Sequence, residues 1–391
     1  MVNAILTINA GSSSIKFAMF EQRTDLECTI EGEVEGIGTS PHLLIKNRGQ
    51  VVFEKSWPGE KTLGYELLLS ESLDWLEKNS GVDKLIAAGH RVVHGGQKFF
   101  EPVRITRDVI TDLEGLIDLA PLHQPHNIAP MRILLKVRPD LPQIGCFDTA
   151  FHHTMPEVAK AIGIPRKFHD QGVLRYGFHG LSYEYISSCL PKAAPHLATG
   201  RVVVAHLGNG ASMCAMNGGK SVDSTMGFTA LDGLMMGTRT GAIDAGVVLY
   251  LMQSRGMDAD ALTELFYKES GLLGVSGISS DVRTLLASPA PEAKQALSLF
   301  AFKAAHQAAG LVTSLGGLDG LVFTAGIGEH AAPIRAGICE RLAWMGIKLS
   351  AEANEANAPV ISTPDSRIEV RVIPTNEELV IARHTARMVQ G

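Results

Sequence analysis

The sequence predicts a mixed α/β protein in which one arrangement of strands is used twice. The first observation is the stretch from Asn3 to Phe20. An apolar, β-branched run ends at Asn9, a small-residue turn Gly11-Ser12-Ser13-Ser14 follows, and Ile15, Phe17 and Met19 then alternate with Lys16 and Ala18. A period of two marks a strand, and strand, small-residue turn, strand is a hairpin. The second observation is that the pattern returns at Arg201: an apolar run to His206-Leu207, the turn Gly208-Asn209-Gly210, and a second strand from Ala211. The third is that segments of helical spacing lie between the strands of each half. Two hairpins of one kind, one per half, predict a duplicated fold with a cleft between the halves.

In chain order, residues 27–57 keep strand character, with a turn at Lys46-Asn47-Arg48-Gly49. From Thr62 to Glu77, apolar residues at 63, 67, 68, 69, 73, 75 and 76 have the spacing of a helix face. Lys84 to Gly89 reads as a short buried strand that runs into a charged loop, His90 to Gly96. Helices are expected over 108–120 and 127–137, and a strand over 143–147 that ends at Asp148. In the second half, 201–216 is the hairpin and 295–315 is Ala-rich and helical. Leu318 to Thr324 is a strand, followed by a glycine turn at Gly326-Ile327-Gly328 and a helix from Pro333. Ile368 to Ile373 is the last strand. Thr375-Asn376-Glu377-Glu378 fits a capping box, which occupies Glu378 and leaves Glu377 without a structural task.

Composition bounds the function. The 391 residues suggest roughly two or three domains, with 45% apolar and 19% charged side chains. A net charge of −6 argues against nucleic acid or an anionic membrane surface as partner. Met1-Val2-Asn3 lacks the basic start of a secretory signal, and no window is long and apolar enough to span a bilayer. The five scattered cysteines contain no C-x-x-C pair and read as reduced thiols of a cytoplasmic protein.

The turn after Asn9 offers hydroxyls, backbone N–H groups and the nearby Lys16 ammonium, all of which suit an anion. An ordinary polar hairpin turn is the alternative. Arg91 precedes two glycines and can grip a carboxylate or phosphate with its fork of donors; otherwise it is a surface ion pair. Arg239 repeats this setting in Gly237-Thr238-Arg239-Thr240-Gly241. Two such arginines suit a reaction between two anions. Asp148 ends a strand, where α/β folds place ligand-binding groups, or it caps a helix over 149–153. His179 sits between glycines and is either functional or a satisfied structural histidine. No zinc set is expected: His90 and His94 would be about 13 Å apart along a strand, and His152 and His153 would point opposite ways in one. Gly326-x-Gly328-x-x-Ala331 imitates a dinucleotide fingerprint and follows a strand, but no acidic strand end follows it.

Taken together, the motifs resemble the acetate kinase family. The resemblance rests on Asn9 to Lys16, Gly89 to Gly96, Phe147 to His152, Tyr176 to Gly180, His206 to Ser212, Leu234 to Arg239, Gly326 to Glu329 and Thr375 to Glu378, colinear over nearly the whole chain. It implies an α/β fold of duplicated actin-like (ribonuclease H-like) domains with a nucleotide cleft between them. The domains would be 1–149 with 375–391, and 150–374, which carries the nucleotide-binding segments. It implies a cytoplasmic homodimer that reversibly transfers the ATP γ-phosphoryl to acetate, directly and in line, with Mg²⁺ or Mn²⁺.

By position, the resemblance makes Asp148, Arg91, His179 and Arg239 catalytic, and Asn9 and Glu377 the metal-site residues. Lys16, His206, Leu207, Gly208, Asn209, Gly210, Asp281, Val282, Arg283, Gly326, Ile327, Gly328, Glu329 and His330 would hold the nucleotide. Val93, Leu122, Phe178 and Ala230, with Arg91, would form the acid pocket. The chain departs from the family pattern at Ala230 and Ala245, where proline is usual, at Ala242 in place of Asp, and at His330 in place of Asn. Val93 favours acetate. A propionate or butyrate kinase is the alternative within the class, a non-catalytic actin-like ATPase module the alternative outside it, and a dehydrogenase is third.

Overall fold

The computed structural model describes residues 3–61 and 63–390. Met1 and Val2, at which the absence of a signal was read, and Thr62, where a helix was expected to begin, lie outside the described residues. The chain forms two compact units, Met1–Ala150 with Asn376–Gly391, and Phe151–Thr375.

In the first unit, β1 (Asn3–Ala10) and β2 (Ile15–Gln22) form the expected hairpin, with Asn9 opposite Lys16. β3 (Leu26–Glu35), β4 (His42–Asn47) and β5 (Gln50–Ser56) continue it as an antiparallel meander. Arg48 and Gly49 both take positive φ in the two-residue turn between β4 and β5, the geometry that matches the twist of a hairpin. The helix Tyr65–Asn79 then leads to β6 (Lys84–Val92), which lies parallel to β1. β6 is longer than the sequence predicts. The register with β1 and β8 carries it through His90 and Arg91, so these residues belong to a strand and not to a loop. After the two-residue β7 (Val103–Arg104), helices Arg107–Glu114 and Gln124–Val137 precede β8 (Gln143–Phe147). The sheet order is β5-β4-β3-β2-β1-β6-β8-β7.

One face of this sheet packs Leu6, Ile8, Phe17 and Ile30 against Leu68, Leu69, Leu73 and Leu134 from two of these helices. The other face packs Ile5 and Phe20 on Ala382 of the C-terminal helix, Glu377–Gln390. Full burial of one such side chain contributes about 1.5–3 kcal/mol.

The second unit repeats the scheme. β9 (Arg201–Leu207), β10 (Ala211–Asn217) and β11 (Lys220–Ser224) are an antiparallel meander, and β12 (Gly320–Thr324) and β13 (Glu369–Val372) add in parallel. The order β11-β10-β9-β12-β13 matches β3-β2-β1-β6-β8 of the first sheet, strand for strand and direction for direction. The duplication predicted from the hairpins is therefore a duplication of topology. The helix Gly180–Ala193 covers one face through Tyr183, Ile186 and Leu190. The long helix Pro291–Leu315 turns six buried alanines, Ala293, Ala296, Ala301, Ala304, Ala305 and Ala308, inward.

Three further local expectations differ. After β12 the chain enters the short helix Ala325–His330 at once, so Gly326 and Gly328 lie in a helical turn; a second helix, Ala332–Arg341, follows. His152 and His153 lie in a 3-10 turn, Ala150–Thr154, and not in a strand. The cap of the last helix is Asn376, whose Oδ1 accepts from the Leu379 N–H at 2.8 Å. Thr375 is turned elsewhere, so no capping box forms and Glu378 is not occupied by one.

Candidate active site

Parallel strands bring their carboxyl ends to one edge of a sheet, which is where the first unit collects its polar groups. Asn9 comes from the end of β1, Arg91 from the end of β6, and Asp148 directly follows β8. These are three neighbouring strands. Glu377 joins them from the first turn of the C-terminal helix.

The Arg91 guanidinium grips Asp148 with two nitrogens: Nη2 donates to Oδ2 at 2.7 Å, and Nε lies 3.1–3.2 Å from both oxygens. Its third nitrogen, Nη1, lies 3.5 Å from Asn9 Oδ1 and 3.7 Å from Glu377 Oε2. Burial opposes the charge of Arg91, but Asp148 and then Glu377 more than offset it and raise its pKa. Glu378 is raised as well, by burial first and by repulsion from Glu377 second. Asp148 is only 1% exposed. An acid so buried is matched by a bidentate partner of this kind, and the partner is in turn aimed by it.

Asn127 steadies the loop beyond β6: its Oδ1 accepts from Val93 N–H at 2.9 Å, and its amide donates to the Ala10 carbonyl at 2.7 Å. Val93 is buried and Leu122 half-buried. Lys16 points along the sheet to Glu33 at 3.0 Å and is largely exposed.

The second unit assembles its own cluster. His179 has φ 57°, a left-handed conformation, at the start of the helix Gly180–Ala193. His152 fixes this bend. Its Nε2 donates to the Phe178 carbonyl at 2.9 Å, so its Nδ1 accepts from the Ser221 hydroxyl at 2.8 Å. Burial holds His152 down to about 4, hence neutral. Phe178 itself is buried.

The rings of His179 and His206 stack with centroids 4.2 Å apart. A Cβ placed on Gly210 would meet His179 Nε2 at 3.5 Å and Arg239 Nη1 at 3.9 Å, so both side chains converge on that turn. Arg239 Nη1 also donates to the Ala230 carbonyl at 3.0 Å. The loops are tied by backbone, with Gly237 N–H on the Asn209 carbonyl at 3.0 Å. Leu207 and Gly208 close the β9 end, with Gly208 N–H on the Gly210 carbonyl at 3.1 Å.

Two predicted nucleotide segments are more local. Asp281 caps the helix Val282–Ala287 by accepting from Arg283 N–H at 2.7 Å, and its carboxylate pairs with the exposed Arg283 guanidinium, which holds its pKa down. Gly326, Ile327, Gly328, Glu329 and His330 form the short helix after β12. His330 is exposed, with Nε2 3.9 Å from Glu329.

Side chains that sequence reasoning passed over complete the second cluster. Ser212 bridges His179 and Tyr183, at 2.8 and 2.5 Å. His206 Nδ1 meets Ser182 at 2.8 Å, Ser182 meets Thr375 at 2.9 Å, and Thr375 N–H donates to Glu329 Oε1 at 3.2 Å. The fully buried Arg335 holds the carbonyls of Gly328 and Glu329 at 2.9 Å each. Only Tyr183 had a readable signal, four residues after His179 and so on the same helix face.

The donor set of the first cluster suits a hard cation. Asn9 Oδ1 and the Glu377 carboxylate both lie within 3.7 Å of one Arg91 nitrogen. Both are oxygen donors of the kind magnesium takes, one or two from protein with the rest from water and phosphate. Among the described residues no three His, Cys, Asp or Glu side chains gather as a metal cage, so a cation here would take most of its ligands from substrate and solvent.

Residues 4–383 match the model of the acetokinase family. A protein named acetate kinase from Rhodopseudomonas palustris (strain ATCC BAA-98 / CGA009) is 51% identical over 399 residues, covering all of both chains. One of the same name from Rhizobium meliloti is 47% identical, covering all of this chain and 99% of the other. Among solved structures, a propionate kinase from Francisella tularensis subsp. tularensis SCHU S4 is similar at TM-score 0.91 and 38% identity, covering 98% of this chain and 99% of that one. The acetate kinase of Porphyromonas gingivalis is similar at TM-score 0.89 and 35% identity, covering 99% and 100%.

Proposed function

Because the chain belongs to the acetokinase family, we propose that it catalyses the reversible transfer of the ATP γ-phosphoryl group to acetate, giving acetyl phosphate and ADP. The reaction is a direct in-line displacement. The observation that carries the reading is Arg91: a half-buried guanidinium at the end of a parallel strand, aimed by Asp148 through two nitrogens, with its third nitrogen 3.7 Å from Glu377.

Acetate is already ionised at neutral pH, since carboxyl groups titrate near ~4. It therefore needs no general base. The barrier is repulsion between two anions, and fixed positive groups lower it. In this proposal Arg91 receives the carboxylate, Val93 and Leu122 offer apolar surface to the methyl group, and Asp148 positions Arg91 without moving a proton. His179 and Arg239 donate to the phosphoryl oxygens as charge builds on them. Lys16, the turn His206 to Gly210, Asp281 to Arg283 and Gly326 to His330 serve the nucleotide.

Asn9 and Glu377 would hold Mg²⁺ or Mn²⁺, which when bound neutralises phosphate charge. The units 1–149 with 375–391 and 150–374 are proposed as the two domains, the second carrying the nucleotide segments.

The protein is further proposed to be a cytoplasmic homodimer. All five cysteines are free, which fits a reducing compartment. The helix Ala245–Arg255 buries none of its residues and exposes Val247, Leu249, Tyr250 and Met252, which fits an apolar contact with a second copy.

A second reading, propionate as preferred acid, draws on the similarity to the Francisella enzyme. Turnover on acetate, propionate and butyrate, with acyl phosphate trapped as hydroxamate, separates the two. The highest kcat/KM is expected on acetate. ATP hydrolysis independent of any acid would remove both readings in favour of a binding ATPase.

A further inference from the structure

The ring of a neutral histidine presents a donor on one nitrogen and an acceptor on the other, and an anionic phosphoryl oxygen needs the donor. For His179 the nitrogen nearer Gly210, a turn that Arg239 Nη1 also approaches, is Nε2. Whether that nitrogen carries the proton is decided at the other one, Nδ1, which lies 2.8 Å from Ser212 Oγ. Ser212 is fully buried and has a second neighbour, the equally buried Tyr183 hydroxyl at 2.5 Å.

A phenol is the more acidic hydroxyl and the better donor of the two. Tyr183 O–H therefore donates to Ser212 Oγ, the Ser212 proton is turned to His179 Nδ1, and the histidine proton is left on Nε2. Each donor polarises the next, so the chain strengthens as it runs toward His179. Three elements hold it in place: Ser212 is paired in register with His206 on β9, Tyr183 follows His179 by one helical turn, and His152 pins the bend before His179.

We infer that Ser212 and Tyr183 are positioning residues that set the tautomer of His179, so that its Nε2 presents an N–H to the transferred group. The inference rests on the phosphoryl-transfer reading above.

The test is nitrogen-15 NMR on the full chain labelled at histidine, with the His179 signals identified by their loss in His179→Gln. The wild type shows the Nε2–H tautomer; Ser212→Ala and Tyr183→Phe move His179 toward a mixture with Nδ1–H. With ATP and acetate, kcat in Ser212→Ala falls about tenfold, a fraction of the 10²–10³ lost when a stabilising donor is removed outright, while KM for both substrates is unchanged. Ser212→Thr, which keeps a hydroxyl, restores kcat. An Nδ1–H tautomer in the wild type, or full kcat in Ser212→Ala, overturns the inference. Absence of acetate-dependent ADP formation in the wild type overturns the phosphoryl-transfer reading instead, and the spectrum still reports the tautomer.

Discussion

Arg91 and Arg239 illustrate how much depends on what holds a side chain. Arg91 is clamped by a carboxylate and Arg239 by a backbone carbonyl, so each presents its remaining donors in a fixed direction. Replacing either by alanine should lower kcat by about 10²–10³, the usual effect of losing one preorganised donor. Arg91→Lys should recover little, because an ammonium cannot reproduce the fork that Asp148 orients. Steady-state kinetics at saturating ATP and acetate check both, and near-wild-type turnover in the alanine variants would contradict the proposed roles. A second residue-scale consequence concerns His90, His94 and His152, all buried and held down to about 4 by desolvation. Above pH 6.5 neither folded nor unfolded chain protonates them. As pH falls below 6.5 the unfolded chain takes up protons that the folded chain refuses until about 4, so stability is lost on acidification through this window. At pH 5 the loss is about 2 kcal/mol per histidine by linkage. Denaturant melts at pH 7 and pH 5 should show it, and equal midpoints would refute it.

At the scale of elements, the loops of the second unit are spaced by glycines. Gly271, at φ 65°, opens the short helix Gly271–Ser276 directly against the loop of Arg239. A Cβ there would overlap the Met236 carbonyl oxygen and come within 2.9 Å of the Arg239 carbonyl. Gly271→Ala should therefore cost on the order of 1–3 kcal/mol of stability and shift Arg239, lowering kcat. Thermal melts and kinetics on the one variant test the pair of effects, and loss of neither would show that the loop yields freely. The departures from the family pattern read differently in their elements. Ala245 begins a helix in a position that suits proline, and Asp244 caps that helix by accepting from Gly246 N–H at 2.7 Å, so the start survives the change. Ala230 contributes a carbonyl to Arg239, which any residue there supplies.

At the scale of the whole molecule, the same strand order in both sheets accounts for two clusters of polar groups, each at the carboxyl ends of parallel strands. The exposed apolar helix Ala245–Arg255 belongs to this scale too. Leu249→Glu with Met252→Glu should shift the sedimentation coefficient from that of a dimer to that of a monomer, because two charges would have to be desolvated on association. A wild type that sediments as a 41.9 kDa monomer would contradict the proposed homodimer.

How much of this could be read from the chain alone differs by kind. The hairpins at Asn9 and His206, the strand before Asp148 and the long alanine-rich helix were legible, because alternation, helical spacing and turn chemistry are set by near neighbours in the sequence. The extension of β6 through Arg91 was not, since it follows from register with β1 and β8. Nor was the cap at Asn376, one residue from the expected box. The residue types at the sites were visible as motifs, but who holds whom was not: Asp148 on Arg91, Ser212 on His179 and His152 on Phe178 each join residues 26 or more positions apart. Strand order and burial choose those partners, and through them decide which groups stay charged, which stay neutral and which way a proton points. Local sequence carries none of that, because the low-dielectric surroundings exist only once distant segments have packed.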